Sequence, residues 1–370
     1  MISLKRLYVD PSLQNHPLVQ RVLQRLDHLT WRYIEDLDPL IKELTLYRQD
    51  PWKQGKEILL LRSYKGRLVK NCPGTRDHIC CGYKVINLMT NCPMDCSYCI
   101  LQVYLNNPFL TLYPDLDKIF GEIEEILDKQ PHRFFRFGTG ELGDSLVLDG
   151  IVGFSQHAVP FFSARRNGIL ELKTKAADVD HLLHLEHGGK TVVSWSLNPP
   201  KIIEAEEHLT APLGERLRAA RLCQDAGYPL GFHFDPLIHY PGWEQDYRKL
   251  VELMFEYIDP RRVIWISLGG FRFPPYLKQI VQNRFPHTRI FTGELIPGED
   301  GKLRYLKPIR VEMYRKMVAW LRAYDKGLFI YLCMERDDVW QQVFNSSPGS
   351  TEALNRRFEE RIAFFLKQRV

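Results

Sequence analysis

Leu213-Gly214-Glu215-Arg216-Leu217-Arg218-Ala219-Ala220-Arg221-Leu222-Cys223-Gln224-Asp225-Ala226-Gly227-Tyr228-Pro229-Leu230-Gly231-Phe232-His233-Phe234 changes its hydrophobic period part-way along. Leu217, Ala220 and Cys223 recur at helical spacing up to Ala226. Gly227 then supplies the left-handed position that ends a helix, and residues 229–234 form a short apolar and aromatic run of strand character. A helix handing over to a buried strand in so few residues is half of a β-α-β unit, and such units need parallel strands.

The same alternation extends outward in both directions. Strand-like runs fall at 83–89, 134–137, 169–173, 191–196, 229–234 and 263–268. Helical periodicity lies between them at 116–128, 179–187, 213–226 and 247–257, with Gly188-Gly189 and Gly227 as stops. Six such units predict an α/β fold, a partial parallel (β/α)6 barrel covering residues 82–296. Before it, residues 11–49 show helical spacing through Leu18, Val22, Leu23, Leu26 and Leu29, and 50–81 read as a connector, giving a helical N-terminal extension over 1–81. After it, a turn-rich 297–301, a helix at 311–324, a strand-like 328–332 and a charged helix at 352–367 predict a C-terminal α/β cap over 297–370.

At 370 residues, with 45% hydrophobic, 26% charged and 12% aromatic residues, the composition is that of a globular protein and excludes disordered, collagenous and coiled-coil classes. No apolar run is long enough to span a bilayer, and residues 1–10 lack a signal-peptide core, so a cytoplasmic protein without a membrane partner is expected. The net charge of +5 permits a local basic groove without demonstrating nucleic-acid binding. Six of the eight cysteines crowd into residues 72–99, which in a reducing compartment points to metal or redox chemistry.

Cys92-Pro93-Met94-Asp95-Cys96-Ser97-Tyr98-Cys99 follows the first expected strand. Three thiolates separated by three and then two residues can hold three corners of an iron-sulfur cubane and leave the fourth iron open. The alternative is a tetrahedral zinc site completed by Cys80, Cys81 or a histidine, although zinc sites usually pair two-ligand knuckles. The loop's position favours the first reading, because chemistry in a βα barrel gathers at the C-terminal strand ends.

With Tyr98 before its last cysteine, this loop resembles the signature of the radical SAM superfamily. Within it the chain is similar to the spore photoproduct lyase family, through Thr174-Lys175, Val179-Asp180-His181-Leu182-Leu183, Ser194-Trp195-Ser196-Leu197-Asn198, Glu215-Arg216-Leu217-Arg218-Ala219-Ala220, Ala226-Gly227-Tyr228-Pro229-Leu230-Gly231-Phe232 and Gly242-Trp243-Glu244. The resemblance implies one 4Fe-4S cluster on Cys92, Cys96 and Cys99, binding S-adenosylmethionine (SAM). Reductive cleavage of SAM would give a 5′-deoxyadenosyl radical that takes hydrogen from a thymine dimer in DNA; the inter-thymine bond breaks and a cysteine thiol returns a hydrogen atom. A low-potential donor such as flavodoxin or ferredoxin, a DNA or nucleic-acid-derived substrate and a monomeric state are implied with it.

Two positions depart from the family pattern. Aligning Asp144 with the family's aspartate puts Glu141 where the donor cysteine stands, and Ile100 replaces a relay tyrosine, although Tyr98 is kept. The segment Gly138-Thr139-Gly140-Glu141-Leu142-Gly143-Asp144-Ser145 resembles the glycine-rich element that receives the SAM ammonium, which gives Glu141 both a catalytic and a cofactor-binding role. Lys175 is aligned with the SAM carboxylate, and Ser196 and Asn198 with its ribose or carboxylate. A different substrate on the same scaffold is the alternative function, and a non-catalytic metal-dependent nucleic-acid-binding protein a third.

Several further residues carry expectations. Cys223 and Cys333 could in principle substitute for the missing donor cysteine, but the sequence places neither near the site, and Cys223 lies on an apolar helical face and reads as core. His181, His184 and His187 drift along one helix edge and do not converge as metal ligands. Cys72, Cys80 and Cys81 allow a second cluster or a structural role. His233 and Asp235 end the fifth strand and are expected at the active-site mouth, as substrate contacts or proton carriers or as satisfied structural residues. The groups Arg133 and Arg136, Arg165-Arg166, Arg216 with Arg218 and Arg221, Arg261-Arg262 and Arg356-Arg357 could position DNA or be solvated surface. Phe271, Phe273 and Tyr276 could stack on bases or belong to the core.

Overall fold

The computed structural model describes residues 4–47, 50–75 and 77–367. All six expected barrel strands form: β1 (Lys84–Ile86), β2 (Phe135–Gly138), β3 (Gly168–Thr174), β4 (Thr191–Ser196), β5 (Leu230–Leu237) and β6 (Val263–Gly270). A seventh, β7 (Ile330–Leu332), joins them from near the C-terminus. They pair in the order β7-β6-β5-β4-β3-β2-β1, every neighbour parallel, and Val69–Asn71 closes the β1 edge in the antiparallel sense. The sheet curls into a half-barrel.

Burial on both faces explains why these strands read as near-continuous apolar runs. Every residue of β2, β4 and β6 is buried. Helices Leu116–Lys129, Leu213–Asp225 and Trp243–Tyr257 occupy three of the expected positions and bury one face each, through Ile119, Ile123 and Leu127, through Leu217, Ala220 and Cys223, and through Leu250, Val251 and Met254. Asp115 caps the first by accepting a hydrogen bond from the Lys118 amide at 3.0 Å.

The flanks differ from expectation. The N-terminal extension is not only helical. Helix Pro17–Arg25 forms, but Arg6–Val9, Thr30–Tyr33 and Ile58–Leu61 are strands of a second sheet, in the order Thr30–Tyr33, Arg6–Val9, Ile58–Leu61, Leu110–Leu112, Met89–Thr90. Ile58–Leu61 is a fully buried apolar strand, whereas Thr30–Tyr33 is exposed along its length and takes strand form from its partner, a long-range cause that periodicity does not register. Gln49, the expected end of the helical stretch, lies outside the described residues. The connector over 50–81 contains helix Pro51–Gly55 and strands Ile58–Leu61 and Val69–Asn71. At the other end, residues 328–332 supply a strand to the barrel sheet itself, so the sheet runs past the expected limit of residue 296.

The expected helix over 179–187 shrinks to one 3-10 turn, Asp180–Leu182. His181 is drawn to Asp149 at 3.0 Å, His187 stacks on Tyr228 at 4.0 Å, and Gly188 and Gly189 both take positive φ, so side-chain pairing and a tight return displace a regular helix. Between β2 and β3 the chain instead builds helices Asp149–Val152 and Phe154–Ser163, hinged at Gly153 with φ of 75°.

Gly231 tests the packing of the sheet. A Cβ there would stand 2.3 Å from Ser194 Oγ and 2.7 Å from Trp265 Nε1. Gly231→Ala is expected to cost about 1–3 kcal/mol of stability through overpacking. Urea unfolding of the two proteins reads this directly, and an unchanged midpoint would show that the core there yields freely.

Candidate active site

Successive strand ends deliver the polar side chains of the molecule to one face. The three-thiol loop follows β1, Glu141 and Asp144 follow β2, and Lys175 follows β3. Ser196 ends β4 and Asn198 lies just beyond it, Arg272 follows β6 and Cys333 follows β7, whereas β5 runs on to Leu237, so His233 lies mid-strand and Asp235 two residues before the end, not at the end as expected. This is the C-terminal end of a parallel sheet, where such folds hold ligands.

The Cys92–Cys99 loop is fixed from both sides. Met89–Thr90, just before it, pairs with Leu110–Leu112 of the N-terminal sheet. Cys96 and Asp95 form a short antiparallel bridge with Glu207 and His208, and the Ser97 amide donates to the Glu206 carbonyl at 2.8 Å. Lys56, almost fully buried, donates to Asp95 Oδ1 at 2.8 Å and to the Met94 carbonyl at 2.5 Å, while Arg284 Nη2 reaches both Asp95 oxygens at 3.0 Å.

Cys92, Cys96 and Cys99 are free thiols on this one loop, flanked by the Lys56 and Lys175 ammonium groups. Among the described residues no three His, Cys, Asp or Glu side chains converge on a single ion. Three loop thiolates with cations beside them fit an iron-sulfur cluster, whose corners lie further apart than the ligands of one zinc.

Beside the loop a network centres on Glu207, whose side chain has no solvent exposure. One of its oxygens accepts from the Tyr98 hydroxyl and from Asn198 Nδ2 at 2.9 Å; the other accepts from Arg216 Nη2 at 2.6 Å. Arg216, itself fully buried, also donates to the carbonyls of Ser196 at 2.9 Å and Ala211 at 2.7 Å. Burial alone would raise the Glu207 pKa, but Lys175, Arg216 and the two hydrogen bonds overcome it and hold the group below its ordinary value. Lys175 Nζ lies 5.6 Å from the centre of the Tyr98 ring.

Asn198 is held at both ends of its amide, since its Oδ1 also accepts from the Tyr247 hydroxyl at 2.7 Å, and an amide oxygen has a second lone pair for a ligand. Asp144 ties the glycine-rich segment to the end of β3, accepting from Thr174 Oγ1 and the Lys175 amide, each at 2.7 Å. Glycine is required at 138, where a Cβ would meet the Tyr83 hydroxyl at 1.7 Å.

Next to this network opens a cavity of about 620 Å3, within the usual range for ligand sites. Glu141, Lys173, Ser196, His233, Asp235 and Arg272 line it, and Cys72, Cys80, Cys81 and Cys333 stand in its wall. Glu141 accepts from Lys173 Nζ at 2.9 Å. His233 Nε2 and Trp265 Nε1 each lie 2.8 Å from Glu171 Oε1, which also accepts from Ser194 Oγ at 2.7 Å. Burial by itself would raise the Glu171 pKa, but His233, Arg136 and Ser194 outweigh it and hold the carboxyl below its ordinary value. Asp235 is likewise depressed against the effect of burial, by Arg272 and by its hydrogen bond from Cys333.

The sequence-based candidates thus come together: the three cysteines, Tyr98, Lys175 and Asn198 around the loop, and Glu141, Ser196, His233 and Asp235 around the cavity. His181, His184 and His187 do not join them. Phe271 and Phe273 are core, and Ile100 packs against the core beside helix Leu101–Tyr104. Of the basic groups, Arg133 and Arg136 reach the cavity wall, whereas Arg216 is structural. Glu171, Glu207 and Arg272 were not singled out as site residues by the sequence, and Cys333, named there only as a possible substitute donor, is placed at the cavity by the fold. One signal was available: Arg216 interrupts the apolar face of its helix, and a charge on a buried face requires a buried partner.

Comparison with known proteins follows this geometry. A family model described as spore photoproduct lyase matches residues 79–305. A curated spore photoproduct lyase from Geobacillus sp. (strain Y412MC61) is 29% identical over 297 residues, spanning 78% of this chain and 85% of that protein. A solved spore photoproduct lyase complexed with dinucleoside spore photoproduct superposes with a TM-score of 0.80 at 24% identity, covering 90% of this chain and 99% of its own. A mutant spore photoproduct lyase with bound AdoMet and dinucleoside spore photoproduct gives a TM-score of 0.76 at 25% identity, covering 89% and 98%.

The depressed Glu171 carboxyl makes stability depend on pH with a definite sign. A group held below its unfolded pKa stabilises the fold above that pKa, and the contribution is lost as pH falls through and below the ordinary glutamate range of about 4. Denaturant midpoints measured from neutral to acid pH are expected to fall more steeply in the wild type than in Glu171→Gln over that window. Parallel curves would refute the assignment.

Proposed function

The chain belongs to the spore photoproduct lyase family, and from that premise we propose that it is a radical SAM lyase that repairs a thymine-dimer lesion in DNA. The observation that carries this reading is the meeting, at one end of one parallel sheet, of a three-thiol loop and a cavity of ligand size into which several charged side chains are set. When bound, a 4Fe-4S cluster with SAM supplies on reduction a 5′-deoxyadenosyl radical.

The chain's own residues orient and shield that chemistry. Cys92, Cys96 and Cys99 hold the cluster. Lys175 is assigned to the SAM carboxylate, Glu141 to its ammonium, and Ser196 and Asn198 to its ribose side; the Glu207 network fixes Tyr98 and Asn198 so that they lose little freedom on binding. Asp235 accepts and Arg272 donates at the cavity wall, a combination that matches the imide N–H and carbonyl groups of thymine. Lys84, Arg133 and Lys173 add positive charge toward phosphate. The lesion must leave the base stack to enter, as for other enzymes that act on a base. Electrons come from a low-potential flavodoxin or ferredoxin type of donor. Among the described residues no helix is long and apolar enough to cross a membrane.

Anaerobically reconstituted protein with SAM, dithionite and dinucleotide spore photoproduct is expected to yield both 5′-deoxyadenosine and repaired thymidylyl-thymidine, followed together by mass spectrometry. Cys96→Ala is expected to lose the iron-sulfur absorption and both products. Deoxyadenosine without repair would mean another substrate, and neither product from a loaded wild-type protein would end the reading.

A further inference from the structure

Glu141 occupies the position aligned with the hydrogen donor, and a carboxylate does not give up a hydrogen atom readily. The carbon freed when the inter-thymine bond breaks still needs one. Thiol S–H and phenol O–H are the weakest bonds to hydrogen among side chains, and of the two a thiol gives its hydrogen to a carbon radical much the faster, so the search narrows to thiols that share a cavity with the substrate. Cys223 is sealed in the core, and the cluster cysteines are committed. The cavity wall holds Cys72, Cys80, Cys81 and Cys333.

Of these, Cys333 stands with the residues that suit a thymine. Its Sγ is 3.4 Å from Arg272 Nη2, and it hydrogen-bonds to Asp235, the two groups assigned to the base. Its backbone is fixed by its amide donating to the Leu268 carbonyl at 2.8 Å. The next residue, Met334, takes φ of 53°, and Glu335 bridges to Ile79 while accepting from Arg310 Nε at 2.9 Å and the Tyr314 hydroxyl at 2.7 Å. Burial, with Asp235 adding to it, pushes the thiol pKa well up, so the hydrogen stays on sulfur at neutral pH.

The cavity shows independently that it is built for a polar guest. Tyr83 Oη and Arg136 Nη1 are buried in its wall with no hydrogen-bond partner among the described residues.

Resting on the lyase reading, we propose that Cys333 is the hydrogen-atom donor that completes repair in this protein. The S–H bond breaks homolytically, its hydrogen forms the new C–H bond on the freed carbon, and a thiyl radical remains on Cys333. One electron from an iron-sulfur or flavin reductant and one proton from solvent restore the thiol. Asp235 and Arg272 hold the base and the thiol against one another.

Two measurements test this. Repair run in D2O, where thiols carry deuterium, is expected to place solvent deuterium in the wild-type product. In Cys333→Ser the deuterated product falls by roughly tenfold or more, because the stronger O–H bond raises the barrier. Separately, slow iodoacetamide labelling of Cys333 in unreduced holoprotein at alkaline pH, where a fraction of the thiol ionises, read by peptide mass spectrometry, is expected to slow further when dinucleoside spore photoproduct is added; this needs no turnover and no variant. Full deuterium transfer in Cys333→Ser, or its loss in Cys81→Ser alone, overturns the proposal while the lyase reading stands. Unprotected labelling also overturns it. Wild-type protein that cleaves SAM but leaves the lesion intact removes the lyase reading and Cys333's role with it.

Discussion

Arg216 and Glu207 meet at 2.6 Å with neither side chain reaching solvent, and the loop that carries the thiols is built around that contact. Glu207 pairs through its backbone with Cys96 and through its carboxylate with Tyr98 and Asn198, while Arg216 holds the Ser196 and Ala211 carbonyls. A buried pair of this kind is costly to form, and removing one partner strands the other charge at about 3–5 kcal/mol. Its hydrogen bonds are satisfied on both sides, which makes the arrangement a unique one. The segment after β4, the helix Leu213–Asp225 and the loop after β1 are locked into a single register by it.

Specificity of geometry is then inherited by the cavity. β3 supplies Glu171 at its centre, and three donors from β4, β5 and β6 meet on that one carboxylate. Neighbouring strands are therefore tied by side chains as well as by backbone hydrogen bonds. The parallel sheet twists, and a shared acceptor limits how far its ends can splay. The polar face remains narrow enough for residues from β5, β6 and β7 to share one contact at Asp235, Arg272 and Cys333.

The six barrel strands were legible because strands buried on both faces are written as apolar runs, and Gly227 marks where one helix stops. The cysteine loop was legible because its ligands are contiguous. β7 was readable as a strand but not as a member of the barrel, since its partner, β6, is some sixty residues away in sequence. Thr30–Tyr33 was missed although Thr30, Trp31 and Tyr33 favour strands, because the run is short and all four residues are exposed, so no buried face marks it. The network residues were hidden by their separation in sequence: Glu171 meets Trp265 across 94 positions and Arg284 meets Asp95 across 189, and only folding brings them together. Cys333 belongs here as well, one cysteine without a motif until β7 is placed.

Lys56 lies outside residues 79–305, the stretch that resembles the family, yet it sits beneath the thiol loop with Asp95 as its partner. A chain trimmed to the recognisable part would leave Asp95 with one of its two cations missing and Met89–Thr90 without the sheet built on Ile58–Leu61. The working unit is larger than the portion that evolution has left easy to recognise, and the N-terminal sheet is a floor of the catalytic loop, as much a part of it as the barrel.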